Sequence, residues 1–156
     1  LFEISKNIGV FPPMVSSIEE YLIWKDKAIK YGLEGVKFGL MVETPAAALT
    51  IKNFIDHIEF VVFGTNDLTQ FTLAVDRTNP RVSDKFDESN EAVLRLIKMV
   101  IDVCNSKGIE TTIGGQAGSD WNFVRKLLDL GASGTSVNPD PWTLSYIMTQ
   151  IREINK

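Results

Sequence analysis

Apolar segments typical of β-strands alternate with helix-like segments along the whole chain, and this alternation limits the possible fold more than any other feature. The candidate strands are residues 9–15, 36–43, 60–64, 110–115 and 133–138. Such alternation predicts an α/β fold in which a parallel sheet is covered by helices. A chain of 156 residues fits one domain with one core. We therefore expect residues 1–156 to form a single domain.

Helix start signals follow each candidate strand. A capping box at Ser17–Glu20 and a proline at position 45 predict the first two helix starts. Later starts are predicted at Ser89 or Asn90, at Ser119 and at Asp140. The last helix is expected to turn four apolar residues inward, namely Leu144, Ile147, Met148 and Ile151. Residues 65–88, rich in Asp, Asn and Thr, are predicted to form a long functional loop.

Acidic side chains follow two of the predicted strands. Glu43 comes directly after one strand, and the polar cluster Gly64-Thr65-Asn66-Asp67 follows the next. Loops at the carboxyl ends of parallel strands hold the ligand in α/β folds. Two carboxylates there suit Mg²⁺, which needs only one or two protein carboxylates besides water and substrate oxygens. The alternatives are that each acid caps the helix that follows it and that Asn66 is a turn residue.

Composition excludes several classes of function. A net charge of −4 and a pI near 5.0 argue against non-specific binding to nucleic acids, which requires clustered basic residues. The longest apolar stretch, around Phe60 to Phe63, is too short to span a bilayer. The first residues lack the features of a secretory signal. A single cysteine, Cys104, excludes an internal disulfide, so we expect a cytoplasmic location.

Four segments carry a family resemblance. They are Gly39-Leu-Met-Val-Glu43-Thr-Pro-Ala-Ala-Ala48, Gly64-Thr-Asn-Asp-Leu-Thr-Gln70 with Ala74-Val-Asp-Arg77, Gly114-Gly-Gln-Ala-Gly-Ser-Asp120, and Ser136-Val-Asn-Pro139. In order and spacing they resemble the phosphoenolpyruvate (PEP)-binding barrel of the PEP-utilizing enzymes. That family includes PEP synthase, pyruvate phosphate dikinase and enzyme I of the bacterial sugar phosphotransferase system. The resemblance extends from about residue 8 to the end of the chain and is strongest to PEP synthase.

The resemblance implies a fold and a chemistry. The fold would be the C-terminal part of a (β/α)8 barrel, about five β/α units. Glu43 and Asp67 would bind Mg²⁺, and the substrate PEP or pyruvate would contact both acids together with Gly64, Thr65, Asn66 and Arg77. A complete enzyme of the PEP synthase type converts ATP, pyruvate and water to PEP, AMP and phosphate. It uses a phosphohistidine domain and a nucleotide-binding domain as partners of the barrel, and this chain contains neither.

One departure from the family concerns catalysis. Gly114 occupies the position of the cysteine that acts as general acid toward the enolate carbon of pyruvate. Glycine has no proton to give, so we expect the isolated chain to be inactive in that half-reaction. Cys104 is expected to be a small core residue, and His57 a helix-end residue without a phosphohistidine context.

Other interpretations remain open at this point. Without the resemblance, five β/α units would suggest an open doubly wound sheet of the flavodoxin type, because a complete barrel needs about 250 residues. A metal-dependent aldolase or lyase of the citrate-lyase type also places acids at comparable positions. A third possibility is a non-catalytic assembly or regulatory remnant. A partial barrel would leave apolar side chains and strand edges uncovered, so we expect a homo-oligomer.

Overall fold

A five-stranded, all-parallel sheet forms the centre of the molecule, and its strands lie side by side in chain order. The computed structural model describes residues 8–154. The strands are β1 (Gly9–Val10), β2 (Lys37–Val42), β3 (Phe60–Gly64), β4 (Glu110–Gly114) and β5 (Gly134–Thr135). A flavodoxin-type sheet would place β2 at the edge beside β1, in the order 2-1-3-4-5. The consecutive order is that of an arc of a (β/α)8 barrel, so the expected partial barrel is confirmed and the doubly wound alternative is wrong.

Six α-helices connect and flank the strands. They are α1 (Ile18–Lys30), α2 (Pro45–Leu49), α3 (Thr65–Leu73), α4 (Glu91–Asn105), α5 (Trp121–Asp129) and α6 (Pro141–Ile154). Short 3-10 turns occupy Ile51–Asn53, Ser83–Lys85 and Gln116–Ser119. Within residues 8–154, none of the helices has both the length and the apolar character needed to cross a bilayer.

The helix caps agree with the start signals at four positions and correct one. Ser17, Thr44 and Asn90 accept backbone N–H bonds at the starts of α1, α2 and α4. Asp140 accepts the N–H of Thr143 at the start of α6. The start predicted at Ser119 is wrong, because Ser119 ends a 3-10 turn and Asp120 caps α5.

Three further expectations differ from the structure. The outer strands are much shorter than the predicted 9–15 and 133–138, since only two residues of each pair with a neighbour. Residues 65–88 do not form one long loop, because α3 occupies Thr65–Leu73 and buries Leu68 against the core. In α6 only Ile147 is fully buried, whereas Leu144 and Met148 are exposed and Ile151 is half-buried. The spacing of apolar residues correctly predicted the helix, but most of the apolar face of α6 is not covered by other residues.

The two faces of the sheet differ in burial. Side chains that point toward the helices are fully buried, among them Leu40, Val42, Val61, Phe63 and Ile113. The opposite face would line the interior of a closed barrel, and its side chains are only half-buried. They are Met41, Phe60, Val62 and Thr112. The ring of Phe60 lies directly over Gly9 and Gly39 and packs edge-on against Phe11 at 6.0 Å. We call this half-buried side the inner face.

Candidate functional site

The carboxyl ends of β2 and β3 bring Glu43 and Asp67 to the same end of the sheet. The two strands are neighbours, with Val42 opposite Phe63. Glu43 directly follows β2, and Asp67 lies in the first turn of α3, which begins immediately after Gly64. The expected placement of both acids at one end of the sheet is therefore what the structure has. That their oxygens share one cation stays a prediction.

Neither acid caps a helix, so the alternative role raised by the sequence does not hold for Glu43 or Asp67. Thr44, rather than Glu43, caps α2 by accepting the N–H of Ala47 at 3.1 Å. The Glu43 Oε1 atom instead accepts the N–H of Met14 at 2.6 Å, from the loop after β1. Asp67 accepts no hydrogen bond from any residue in the described part of the chain. Both acids thus keep carboxylate oxygens free for a ligand.

The pKa of the Glu43 carboxyl is raised above its ordinary value. The main cause is burial, since Glu43 is only 5% exposed; the Met14 hydrogen bond opposes it, and the negative charge of Asp67 raises the pKa further. The repulsion indicates that the two carboxylates lie near enough to interact. A cation between them would relieve both the desolvation and the repulsion.

Gly64 is required by the close approach of Glu43. A Cβ atom at position 64 would lie 2.7 Å from both Cβ and Oε2 of Glu43, closer than packed atoms allow. The Glu43 side chain therefore crosses the end of β3 with Oε1 held by Met14 and Oε2 over Gly64. This arrangement fixes where a ligand of Oε2 would sit.

Thr65 and Asn66 connect the end of β3 to the end of β4. The buried Thr65 hydroxyl donates to Glu88 Oε1 at 2.7 Å and lies 3.4 Å from the carbonyl oxygen of Gly114. The Asn66 Nδ2 atom lies beside Gly115, 3.3 Å from where its Cβ would be. Asn66 is helical, so the alternative in which it is a turn residue does not hold. Ala74, at the end of α3, has a left-handed backbone conformation with φ 52°.

Glu88 is a site neighbour that the sequence interpretation did not identify. It lies 23 positions after its partner Thr65, beyond α3 and the following loop. The acidic character of residues 65–88 was visible, but the pairing depends on how that loop returns to the sheet.

The side chain of Arg77 makes no hydrogen bond or ion pair with this cluster. It is exposed, its N–H lies 3.3 Å from Gln70 Oε1, and its guanidinium forms no ion pair with any residue between positions 8 and 154. Its expected role in phosphate binding stays a prediction. Glu43, Gly64, Thr65, Asn66 and Asp67 are the site residues that the structure does bring together.

The two other residues with possible chemistry lie elsewhere. Cys104 is fully buried on α4, and burial raises the pKa of its thiol to about 11. It is a core residue, as expected. His57 is exposed in the turn before β3, where its carbonyl oxygen accepts a hydrogen bond of 2.8 Å from the Lys25 ammonium.

Comparison with known proteins identifies the family of this chain. A profile described as "PEP-utilising enzyme, PEP-binding domain" matches residues 3–155. The chain belongs to this PEP-binding domain family. The expected resemblance is therefore confirmed, and the roles of the residues at the ends of β2 and β3 stay predictions.

Relatives and a solved structure agree with the family assignment. The chain is 52% identical over 138 residues to the probable phosphoenolpyruvate synthase of Pyrococcus horikoshii, covering 86% of this chain and 17% of that protein. It is 36% identical over 158 residues to the phosphoenolpyruvate-protein phosphotransferase of Buchnera aphidicola, covering 95% of this chain and 27% of that protein. The crystal structure of RipC from Yersinia pestis matches with a TM-score of 0.65 at 13% identity, over 90% of this chain and 62% of that one, which shows the fold alone. The chain thus spans only about a fifth of the curated relatives it matches.

Proposed function

We propose that this chain is the PEP- or pyruvate-binding domain of a phosphoenolpyruvate-synthase-like phosphotransferase. The observation that carries the proposal is the meeting of Glu43 with the Gly64–Asp67 segment at one end of the sheet, in a member of the PEP-binding domain family. The complete enzyme would convert ATP, pyruvate and water to PEP, AMP and phosphate. The higher identity to the Pyrococcus protein favours this reaction over transfer of the phosphoryl group to a protein.

The donor set at the site fits Mg²⁺. Glu43 Oε2 and the carboxylate of Asp67 are hard oxygen ligands with no other partner among the described residues. No group of three or more His, Cys, Asp or Glu side chains that could hold a metal occurs within residues 8–154. Two protein carboxylates suffice for Mg²⁺ when substrate oxygens and water complete its shell. Bound there, Mg²⁺ would supply charge neutralisation for the enolate and phosphoryl oxygens of the substrate.

The start of α3 would orient the substrate. The first N–H groups of a helix have no intrahelical partner, and the helix dipole favours a negative charge there. Asn66 adds a side-chain N–H donor on the same turn. These groups would bind the carboxylate or phosphate oxygens, while Arg77 would add a charge if its loop folds over the site. Donation of the phosphoryl group is assigned to a phosphohistidine of a further domain, and loading of that histidine to a nucleotide-binding domain.

Calorimetry with oxalate, a mimic of the pyruvate enolate, tests the proposal. Oxalate should bind in the presence of Mg²⁺ and bind at least tenfold more weakly when Mg²⁺ is replaced by EDTA. The full-length protein is the appropriate sample, because this chain spans only 17% of the Pyrococcus relative. Equal affinity with and without Mg²⁺ would contradict the proposal.

A non-catalytic role is the second candidate, and Gly114 favours it. The residue that would return a proton to the enolate is missing at this position. A domain of this kind could bind substrate for assembly or regulation without turnover. The family assignment favours both of these roles over an aldolase of the citrate-lyase type. A cytoplasmic location agrees with the single buried thiol but rests on the sequence.

Association is the expected state of this chain in solution. Apolar side chains are exposed on α1 and α6, including Trp24 at 49% and Trp142 at 86%, and the inner face is only half-covered. Such surface favours association. Light scattering should give a mass above that of one chain at micromolar concentration. A single-chain mass over a hundredfold range of concentration would contradict the expectation.

A further inference from the structure

We infer that Val62 determines which side chain position 114 can carry. The absence of the acid would then depend on both Val62 and Gly114, and not on Gly114 alone. Val62 lies on β3 and Gly114 ends β4, and both belong to the inner face. The functional meaning of the pair rests on the proposed function, whereas the steric conflict between Val62 and a side chain at position 114 is independent of it.

The contact that supports this inference is direct. A Cβ atom built on Gly114 would lie 2.9 Å from Cγ1 of Val62 and 3.1 Å from the carbonyl oxygen of Phe63. Packed carbon atoms require about 3.5–4.0 Å, so the Val62 methyl group already occupies the space that a side chain at 114 needs. Valine is branched at Cβ and strongly restricted at χ1, so it cannot simply turn away.

Backbone conformation does not explain the glycine. Gly114 is absent from the residues with positive φ, and it pairs with Gly64 as an ordinary strand residue. Any amino acid could adopt this backbone. The obstacle to a larger residue is therefore the neighbouring side chain, together with the nearby carbonyl of Phe63.

The pair also lies on the face of the sheet that carries Glu43. Val62 and Gly64 alternate with the buried Val61 and Phe63, which point toward the helices. A Cβ at Gly64 would meet Glu43, which shows that this face leads to the carboxylates. Val62 thus places an apolar methyl group against position 114, where the resemblance puts the family's acid.

A four-protein stability cycle tests the steric part. In the full-length protein, Gly114→Cys alone should lower the unfolding temperature of this domain by about 4–8 °C. The reason is that an overpacked core is less stable. Val62→Ala combined with Gly114→Cys should be more stable than Gly114→Cys alone, although the Phe63 carbonyl keeps the recovery incomplete. Val62→Ala by itself completes the cycle.

Val61→Ala is the matched control, because Val61 is the same residue type on the same strand but on the opposite face. Combined with Gly114→Cys it should give no recovery. The inference is overturned if Gly114→Cys is as stable as the parent, or if Val61→Ala restores stability as well as Val62→Ala does. It is also overturned if Val62→Ala with Gly114→Cys is no more stable than Gly114→Cys alone, which includes the case that neither of these two variants folds. Recovery of stability without any effect on pyruvate chemistry would leave the steric pair intact and count against the proposed function instead.

Discussion

The substitution Glu43→Gln should abolish measurable binding of oxalate with Mg²⁺, weakening it by at least a hundredfold, while making the fold more stable at pH 7. The amide keeps an oxygen that can accept the Met14 N–H, so the loop after β1 should stay in place. It removes a buried negative charge that is repelled by the charge of Asp67. Binding weakens because a charged metal ligand is lost. The free energy of unfolding should rise by about 0.5–2 kcal/mol, because the cost of burying the Glu43 charge and its repulsion by Asp67 are both removed.

Glu110→Gln provides the matched control. Glu110 is exposed at the amino end of β4, at the other end of the sheet from Glu43. This variant should leave both the affinity for oxalate with Mg²⁺ and the free energy of unfolding within experimental error. Calorimetry and urea unfolding measure the two quantities. Unchanged affinity in Glu43→Gln, or equal losses in both variants, would contradict the metal site.

The stability gain should depend on pH in a defined direction. Because the pKa of Glu43 is raised in the folded state, the folded state holds a proton that the unfolded state releases between the unfolded pKa, 4.5, and the raised value. Stability from this group therefore falls as pH rises through that window. The difference between Glu43→Gln and the parent should be largest above it and should shrink as pH falls toward 4.5. A difference that is constant across this range would mean that burial of the charge is not its cause.

The central strands were predictable because each is an apolar run that ends at a polar cluster. The positions of Glu43 and Asp67 followed from the same rule, since parallel strands end at one edge. Helix α3 was missed because Thr65, Asn66 and Asp67 have low helix propensity and are typical of loops. Burial of Leu68 against the core outweighs that preference.

Contacts made by returning loops could not be read from the sequence. Met14 reaches Glu43 across 29 positions, and Glu88 reaches Thr65 across 23. Neither pairing has a periodic signal, because each depends on where a loop crosses the end of the sheet. The role of Val62 is intermediate. Alternation along β3 places it on the inner face, but its contact with position 114 also requires the register between β3 and β4.

Pyruvate should bind to this domain without exchanging its methyl protons with solvent. Glu43, Asp67 and the start of α3 remain to hold the substrate, whereas position 114 offers no proton. In the full-length protein, NMR in deuterium oxide should show exchange no faster than in buffer with Mg²⁺ alone. Val62→Ala with Gly114→Cys should raise the rate by about a hundredfold, the contribution typical of one positioned acid or base.

The double variant Val62→Ala with Gly114→Ser separates acid chemistry from packing. Serine fills nearly the same volume as cysteine, but its hydroxyl is a far weaker acid than a thiol, whose ordinary pKa is about 8.5. This variant should therefore be as stable as the cysteine form and exchange no faster than the parent. If the parent already exchanges as fast as the cysteine form, position 114 is not where the proton is delivered, and a different group must supply it. In that case the glycine would not mark a loss of turnover, and the non-catalytic interpretation of this domain would lose its main support.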